Sequence, residues 1–282
     1  MKYLRIKAAF AATGLALALA ACGDAGSDEE GSDVEAEENA AEDFDAGTRM
    51  KELADNGKIT IGVKFDQPGI GFKGATDTEP KGIDPESDKV EWKETISANR
   101  EPYLEAGEVD LVLASYSITD ERREVVGQTG PYFITGQQLM VKKGSDIKSV
   151  ADIKGKEVCS VTGSTSLDNV EAEGAKPRGF DTYSECRDQV LDGTVDAMTT
   201  DGAILLGYVA INPDELEVVG DEFSEERIGV GYSKDSPEMC EWINGVLEDS
   251  FEDGTWDTAF EATLGKSGVE TPEPPALDEC AA

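Results

Sequence analysis

A strand that stops at small hydroxyl residues and hands over to a capped helix is the feature that most constrains this chain. The pattern occurs three times. Asp110-Leu111-Val112-Leu113-Ala114 is short, continuous and rich in strand formers, so it reads as a buried strand. Ser115-Tyr116-Ser117-Ile118 ends it, and Thr119 can cap a helix with Asp120 and Glu121 in its positive first turn. The apolar stretch 157–161 leads in the same way into Thr162-Gly163-Ser164-Thr165-Ser166. The stretch 195–198 leads into Thr199-Thr200-Asp201, with a helix beginning at Gly202. Further strands read at 58–63, 90–93, 138–142, 216–219 and 227–231, and helices at 50–54, 99–106, 203–210, 239–251 and 255–264. Such alternation argues for α/β units.

The junctions carry the chemistry. Arg122 sits in the first turn after a strand end lined by hydroxyls, where its fork is suited to gripping a carboxylate. The same residues would serve an ordinary capped helix with a surface Arg–Glu pair. Thr162–Ser166 can form an anion nest from helix-start N–H groups, or simply a Ser/Thr cap. Asp201 can accept from an ammonium group, or cap the helix that follows. Together they offer one anion grip and one cation grip, the charge complement of a zwitterionic amino acid.

Composition narrows the function classes. At 282 residues the chain can bury a sizeable core. A net charge of −35, from 60 acidic and 25 basic residues, argues against binding nucleic acid. With no histidine, Ser-His-Asp and Cys-His catalysis and His-ligated metal sites are excluded. No cofactor or metal is expected.

Residues 1–21 have a basic start and a short apolar run, and read as a targeting segment. Their end, Leu19-Ala20-Ala21-Cys22-Gly23, resembles the lipobox of bacterial lipoproteins, which implies cleavage before Cys22 and a diacylglycerol thioether on its sulfur. From 22 to 45 there are eleven acidic residues and no basic one, so 22–49 is expected to be a disordered tether. Beyond Cys22, four cysteines in an oxidising compartment allow three pairings. We expect Cys159 with Cys186, and Cys240 with Cys280, the latter clipping the extended tail 271–282 to the penultimate helix.

The stretches 61–69, 97–100, 114–122, 130–132, 158–166, 183–186, 196–201 and 254–256 resemble, in order, those of polar amino-acid binding proteins that serve ABC importers. The likeness is greatest to the glutamate-binding lipoproteins of actinobacteria. It implies a two-lobed periplasmic-binding-protein-like fold of type II, with the ligand cleft between lobes. Lobe 1 would comprise 50–131 and 230–270, and lobe 2 136–227, with crossings near 129–136 and 227–231. By this resemblance Ser115, Ser117 and Arg122 hold the α-carboxylate, with Ser164 and Thr165 across the cleft, and Asp201 takes the α-ammonium. Lys64, with Arg100, would meet a side-chain carboxylate, and Phe65 or Tyr116 would cover the aliphatic part. The implied protein is a monomer held by lipid on the outer face of the cytoplasmic membrane. It captures glutamate, or a related acidic or amide amino acid, and passes it to a permease without catalysis. A dehydratase-like enzyme or a ligand sensor on the same scaffold are the alternatives.

One stretch departs from the pattern. Parallel strands at 59–63 and 90–93 need a crossover, usually a helix, yet 66–89 is rich in Pro, Gly and Asp with no helical apolar period. Gly82-Ile83-Asp84 runs directly into Pro85-Glu86-Ser87-Asp88 where relatives begin a helix. A shortened first lobe is therefore expected, at a cost on the order of several kcal/mol of lost burial.

Overall fold

The computed structural model describes residues 44–73, 81–82, 89–267 and 269–280. The targeting segment, Cys22 and most of the expected tether lie outside these residues, as does the stretch 83–88. The folded part begins before residue 50: Phe44 packs on a core cluster, and Thr48 caps the first helix, α1 (Arg49–Asn56). The last residues assigned to the tether are thus part of the globule.

In chain order there follow β1 (Ile59–Val63), β2 (Asp66–Gln67), β3 (Gly71–Phe72), β4 (Lys81–Gly82), β5 (Val90–Glu94), α2 (Arg100–Glu105), β6 (Leu111–Ser117), α3 (Asp120–Val125) and β7 (Gly127–Thr135). Then come β8 (Gln137–Lys142), β9 (Glu157–Val161), α4 (Thr165–Ala172), β10 (Lys176–Phe180), α5 (Tyr183–Asp192), β11 (Ala197–Asp201), α6 (Gly202–Ile211), β12 (Leu216–Val219), β13 (Glu226–Tyr232), α7 (Glu238–Asp253) and α8 (Thr255–Ala262).

One five-stranded sheet has the order β5-β1-β6-β13-β7, and a second the order β10-β9-β11-β8-β12. The chain passes between them at Gly136 and again between β12 and β13. β7 and β13, the strands at these crossings, pair antiparallel from Glu226–Thr135 to Tyr232–Gly127. Strand alternation divides the apolar side chains between two faces. In β6, Leu111 meets Met50, Val230 and Met239, whereas Val112, Ala114 and Tyr116 meet Leu104 and Val126. In β8, Met140 faces Cys186, Ile204 and Tyr208, while Leu139 and Val141 face Ile153, Val158 and Val170. Each fully buried large apolar side chain contributes roughly 1.5–3 kcal/mol.

The parallel pairing of β1 and β5 forms in register from Ile59–Val90 to Val63–Glu94. Between them the chain makes an antiparallel excursion, β2-β3-β4, where the sequence reads only as turn. β5 lies at the sheet edge and has no fully buried residue. β10 and α5 also appear where no such elements were expected. Strand β11 runs to Asp201 itself. Both expected disulfides are present, Cys159–Cys186 and Cys240–Cys280.

Candidate ligand-binding site

In α/β sheets ligands gather at the carboxyl ends of parallel strands, where free N–H groups and side chains converge. Here β1 ends before Lys64, β6 ends at Ser117, β9 precedes Ser164 and Thr165, and β11 ends at Asp201. The two sheets turn these ends toward each other. Arg100, Ser115, Ser117, Arg122, Ser164, Thr165 and Asp201, all expected in the site, line one narrow cleft. Ser166, Tyr183 and Thr200 join them.

The cleft is shut, with only about 10 Å³ of room, no more than a single water needs. The closing contacts are specific. Arg100 Nη2 and Arg122 Nη2 both donate to the Gly163 carbonyl at 3.0 Å. Gly163 makes this possible: its φ of 81° is a left-handed conformation, and a Cβ there would lie 3.1 Å from the Ala98 Cα. Arg122 Nη1 also donates to Ser117 O at 2.6 Å, and its Nε lies 3.3 Å from Glu101 Oε1. The Ser117 and Thr165 hydroxyls face each other at 3.5 Å, and Thr165 donates to Glu226 Oε2 at 3.0 Å.

Ser115 stands at φ 46°, a conformation costing on the order of 1–3 kcal/mol in a residue with a Cβ. Its hydroxyl donates to the amide oxygen of buried Gln67 at 3.1 Å. Ser164 behaves as an ordinary cap: its hydroxyl accepts from Leu167 N and donates to Val161 O. The capping alternative fails at Asp201. Its side chain makes no cap bond to α6, and among the described residues its buried carboxylate has no hydrogen-bond partner. Burial, with Glu226 nearby, pushes its pKa up to about 8.

Three expected site residues are placed elsewhere. Tyr116 is fully buried behind the arginines, its hydroxyl donating to Glu101 Oε1 at 2.7 Å. Its ring carries the guanidinium groups of Arg100 and Arg122 at 4.4 and 5.0 Å, so it is a shelf and not a cover. Phe65 lies under the Lys73 ammonium at 4.9 Å and does not line the cleft. Lys64 is buried just behind the lining, with Nζ donating to Ser97 Oγ at 2.8 Å and 5.5 Å from the Tyr183 ring centre. Burial and the neighbouring Arg100 lower its pKa to about 7. Burial and Arg122 lower that of Arg100 to about 10. Tyr183 is the aromatic residue at the cleft. Sequence reasoning gave it no role because the helix it opens was not foreseen, although the capping box Thr182…Glu185 marks that helix start.

Two α/β sheets joined by paired crossing strands, closing on a cleft of opposed cationic and anionic groups, define a two-lobed binding protein. The chain belongs to the bacterial extracellular solute-binding proteins, family 3, whose pattern it matches over residues 59–266. It is 37% identical to the glutamate-binding protein GluB of Corynebacterium efficiens, over 80% of this chain and 85% of that one. It is 33% identical to the glutamine-binding protein GlnH of Bacillus subtilis, over 89% and 94%. Among solved structures it is similar to an ancestral arginine-binding protein bound to glutamine (38% identity, TM-score 0.69, 74% of this chain and 98% of that one). It is also similar to an ancestral amino acid-binding protein described as a precursor of cyclohexadienyl dehydratase (30% identity, TM-score 0.69, 76% and 98%).

Proposed function

We propose that this protein is the substrate-binding lipoprotein of an ABC importer, taking glutamate or a related acidic or amide amino acid and delivering it to a permease. The observation that carries this is the pairing of two guanidinium groups on one cleft carbonyl, in the same cleft as a buried Asp201 whose side chain makes no cap bond to α6. In the shut cleft Gly163 O occupies the place of a ligand carboxylate oxygen. An incoming α-carboxylate takes over the donors of Arg122, Ser115 and Ser117, with Thr165 closing from the other side, and the α-ammonium meets Asp201. Lys64, beside Arg100, lies within one layer of the cleft and serves a side-chain carboxylate, with the Tyr183 ring as the apolar wall.

The names of the relatives support an amino acid as ligand, and glutamate or glutamine in particular. They are all named as binding proteins, which supports capture without catalysis. The dehydratase precursor shares the fold and is itself described as amino acid-binding. The family's extracellular character fits export and attachment of lipid at Cys22, with lobe 1 taken as 50–131 and 230–270 and lobe 2 as 136–227. Isothermal titration with glutamate, aspartate, glutamine and asparagine tests the reading. Saturable one-site binding led by glutamate or glutamine is expected; no heat with any of the four from a cooperatively folded protein would overturn it.

A further inference from the structure

The excursion at β2 and β3 leaves the first sheet beyond Lys64 and ends on helices of the second. The Asp66 carboxylate accepts from Tyr183 N–H, the first residue of ten-residue α5, at 2.6 Å. That donor is one of the helix-start N–H groups without a partner inside the helix. Thr182, the helix's own cap, serves Glu185 N instead. The bond also places a negative charge at the positive end of the helix. One residue type further matters on α6. The Pro68 carbonyl lies where Gly207 has no side chain, and a Cβ there would be only 2.2 Å from Pro68 O. The buried Tyr208 hydroxyl donates to the Asp66 carbonyl. Ile70 packs against the apolar cluster of Tyr183, Leu205 and Tyr208.

None of Asp66, Pro68, Ile70, Gly207 and Tyr208 lines the cleft. β2 and β3 belong to the small sheet β2-β3-β4, which is tied to the first sheet through the continuity with β1 and the Ser115–Gln67 hydrogen bond at 3.1 Å. All of these contacts join that small sheet to helices of the second. If the small sheet moves with the first sheet, separating the two sheets breaks these contacts, and their energy then goes to the closed conformation. A contact that favours one of two conformations shifts their populations by its full differential energy, and raises the affinity of every ligand of that conformation by one common factor.

We propose that residues 66–70 form a closure latch, seated on the start of α5 and on the Gly207 face of α6, that sets overall affinity while the cleft residues set selectivity. The latch rests on the functional reading above in taking amino-acid capture as the event that closure serves. Asp66 and Gly207 are positioning residues. A charge-assisted hydrogen bond of this kind accounts for roughly a tenfold change in affinity.

The test uses the full-length protein with Asp66→Ala and Gly207→Ala, titrated with glutamate and glutamine, beside small-angle scattering without ligand. Gly207→Ala is expected to raise both dissociation constants by the same factor, about tenfold; Asp66→Ala, whose charge also acts on Lys64, is expected to raise both by at least that factor, and each variant to enlarge the radius of gyration. Gly207→Ala would do so with the Asp66 bond chemistry untouched. A thermal melt of each unligated variant separates loss of closure from loss of fold. Unchanged affinity and size in both variants would overturn the latch, as would loss of one ligand alone. If the unaltered protein binds neither amino acid but the variants still open, the latch stands and the ligand assignment falls.

Discussion

Burial moves two opposite charges, Asp201 in the cleft and Lys64 just behind it, away from their ordinary titration ranges, and the direction of each move sets how the proposed binding responds to pH. Asp201 must be ionised to hold an ammonium, yet burial raises its pKa to about 8. Below that value each binding event expels a proton, so affinity falls by up to about tenfold per pH unit as pH drops. Lys64 must be protonated to hold a side-chain carboxylate, yet burial lowers its pKa to about 7. Above that value binding takes up a proton, so affinity falls as pH rises. Glutamate affinity should therefore peak between about pH 7 and 8, whereas glutamine should show only the fall toward acid pH. Titrations of both ligands across that range check this, and identical profiles would remove Lys64 from side-chain recognition. Arg122→Ala should abolish binding of every amino acid, because in the proposed binding mode it deletes the donors shared by all of them; retained nanomolar or micromolar affinity would refute its role. Lys64→Ala should weaken glutamate by at least about tenfold more than glutamine, in keeping with loss of a buried charge-assisted bond.

At the scale of elements, the C-terminal tail fastens the crossing strands. Asp278 N donates to Gly130 O of β7, and its carboxylate bridges Arg227 of β13 and Arg123 of α3, both at 2.6 Å. Partial burial opposes ionisation there, but the hydrogen bonds from Arg227 and Arg123 hold the Asp278 carboxyl below its ordinary range. Asn244 of α7 donates to Asp278 O at 2.9 Å, and the Cys240–Cys280 disulfide anchors the end. Replacing both cysteines by serine should cost about 2–4 kcal/mol, since the bond closes a long loop. Calorimetry reads this directly, and an unchanged melting temperature would show that the tail holds nothing. Legibility also divides at this scale. The units β6–α3, β9–α4 and β11–α6 could be read because strand, hydroxyl stop and helix start lie within a dozen consecutive residues. The edge strand β10, Lys176-Pro177-Arg178-Gly179-Phe180, carries charge, proline and glycine, and gives no strand pattern. Strands β2 and β3 have two residues each, too few for any period. The same locality governs the site. Arg122, Thr165 and Asp201 stand on readable junctions, whereas Tyr183 and Gln67 reach the cleft region through elements that only the folded chain reveals.

For the molecule as a whole, the question is whether two sheets melt as one. All described residues belong to a single compact unit. β7 and β13 pair throughout the crossing. Phe260 of α8 packs with Ala203 of α6 and lies 5.4 Å from the Phe133 ring of β7, so the C-terminal helix spans both halves. The segment 66–70 adds its contacts to α5 and α6. Opening these connections exposes apolar surface in both halves at once, which makes partial unfolding costly. The expected melt is therefore a single transition with calorimetric and van't Hoff enthalpies in agreement. Ligand at a hundredfold excess over its dissociation constant adds about 2.7 kcal/mol. In a protein of this size that raises the midpoint by roughly 5–10 °C. Two resolved transitions, with ligand moving only one, would mean that the crossing strands and α8 do not couple the halves. A single transition that moves as a unit would show that binding at the cleft stabilises even residues far from it, through the same contacts that close the lobes.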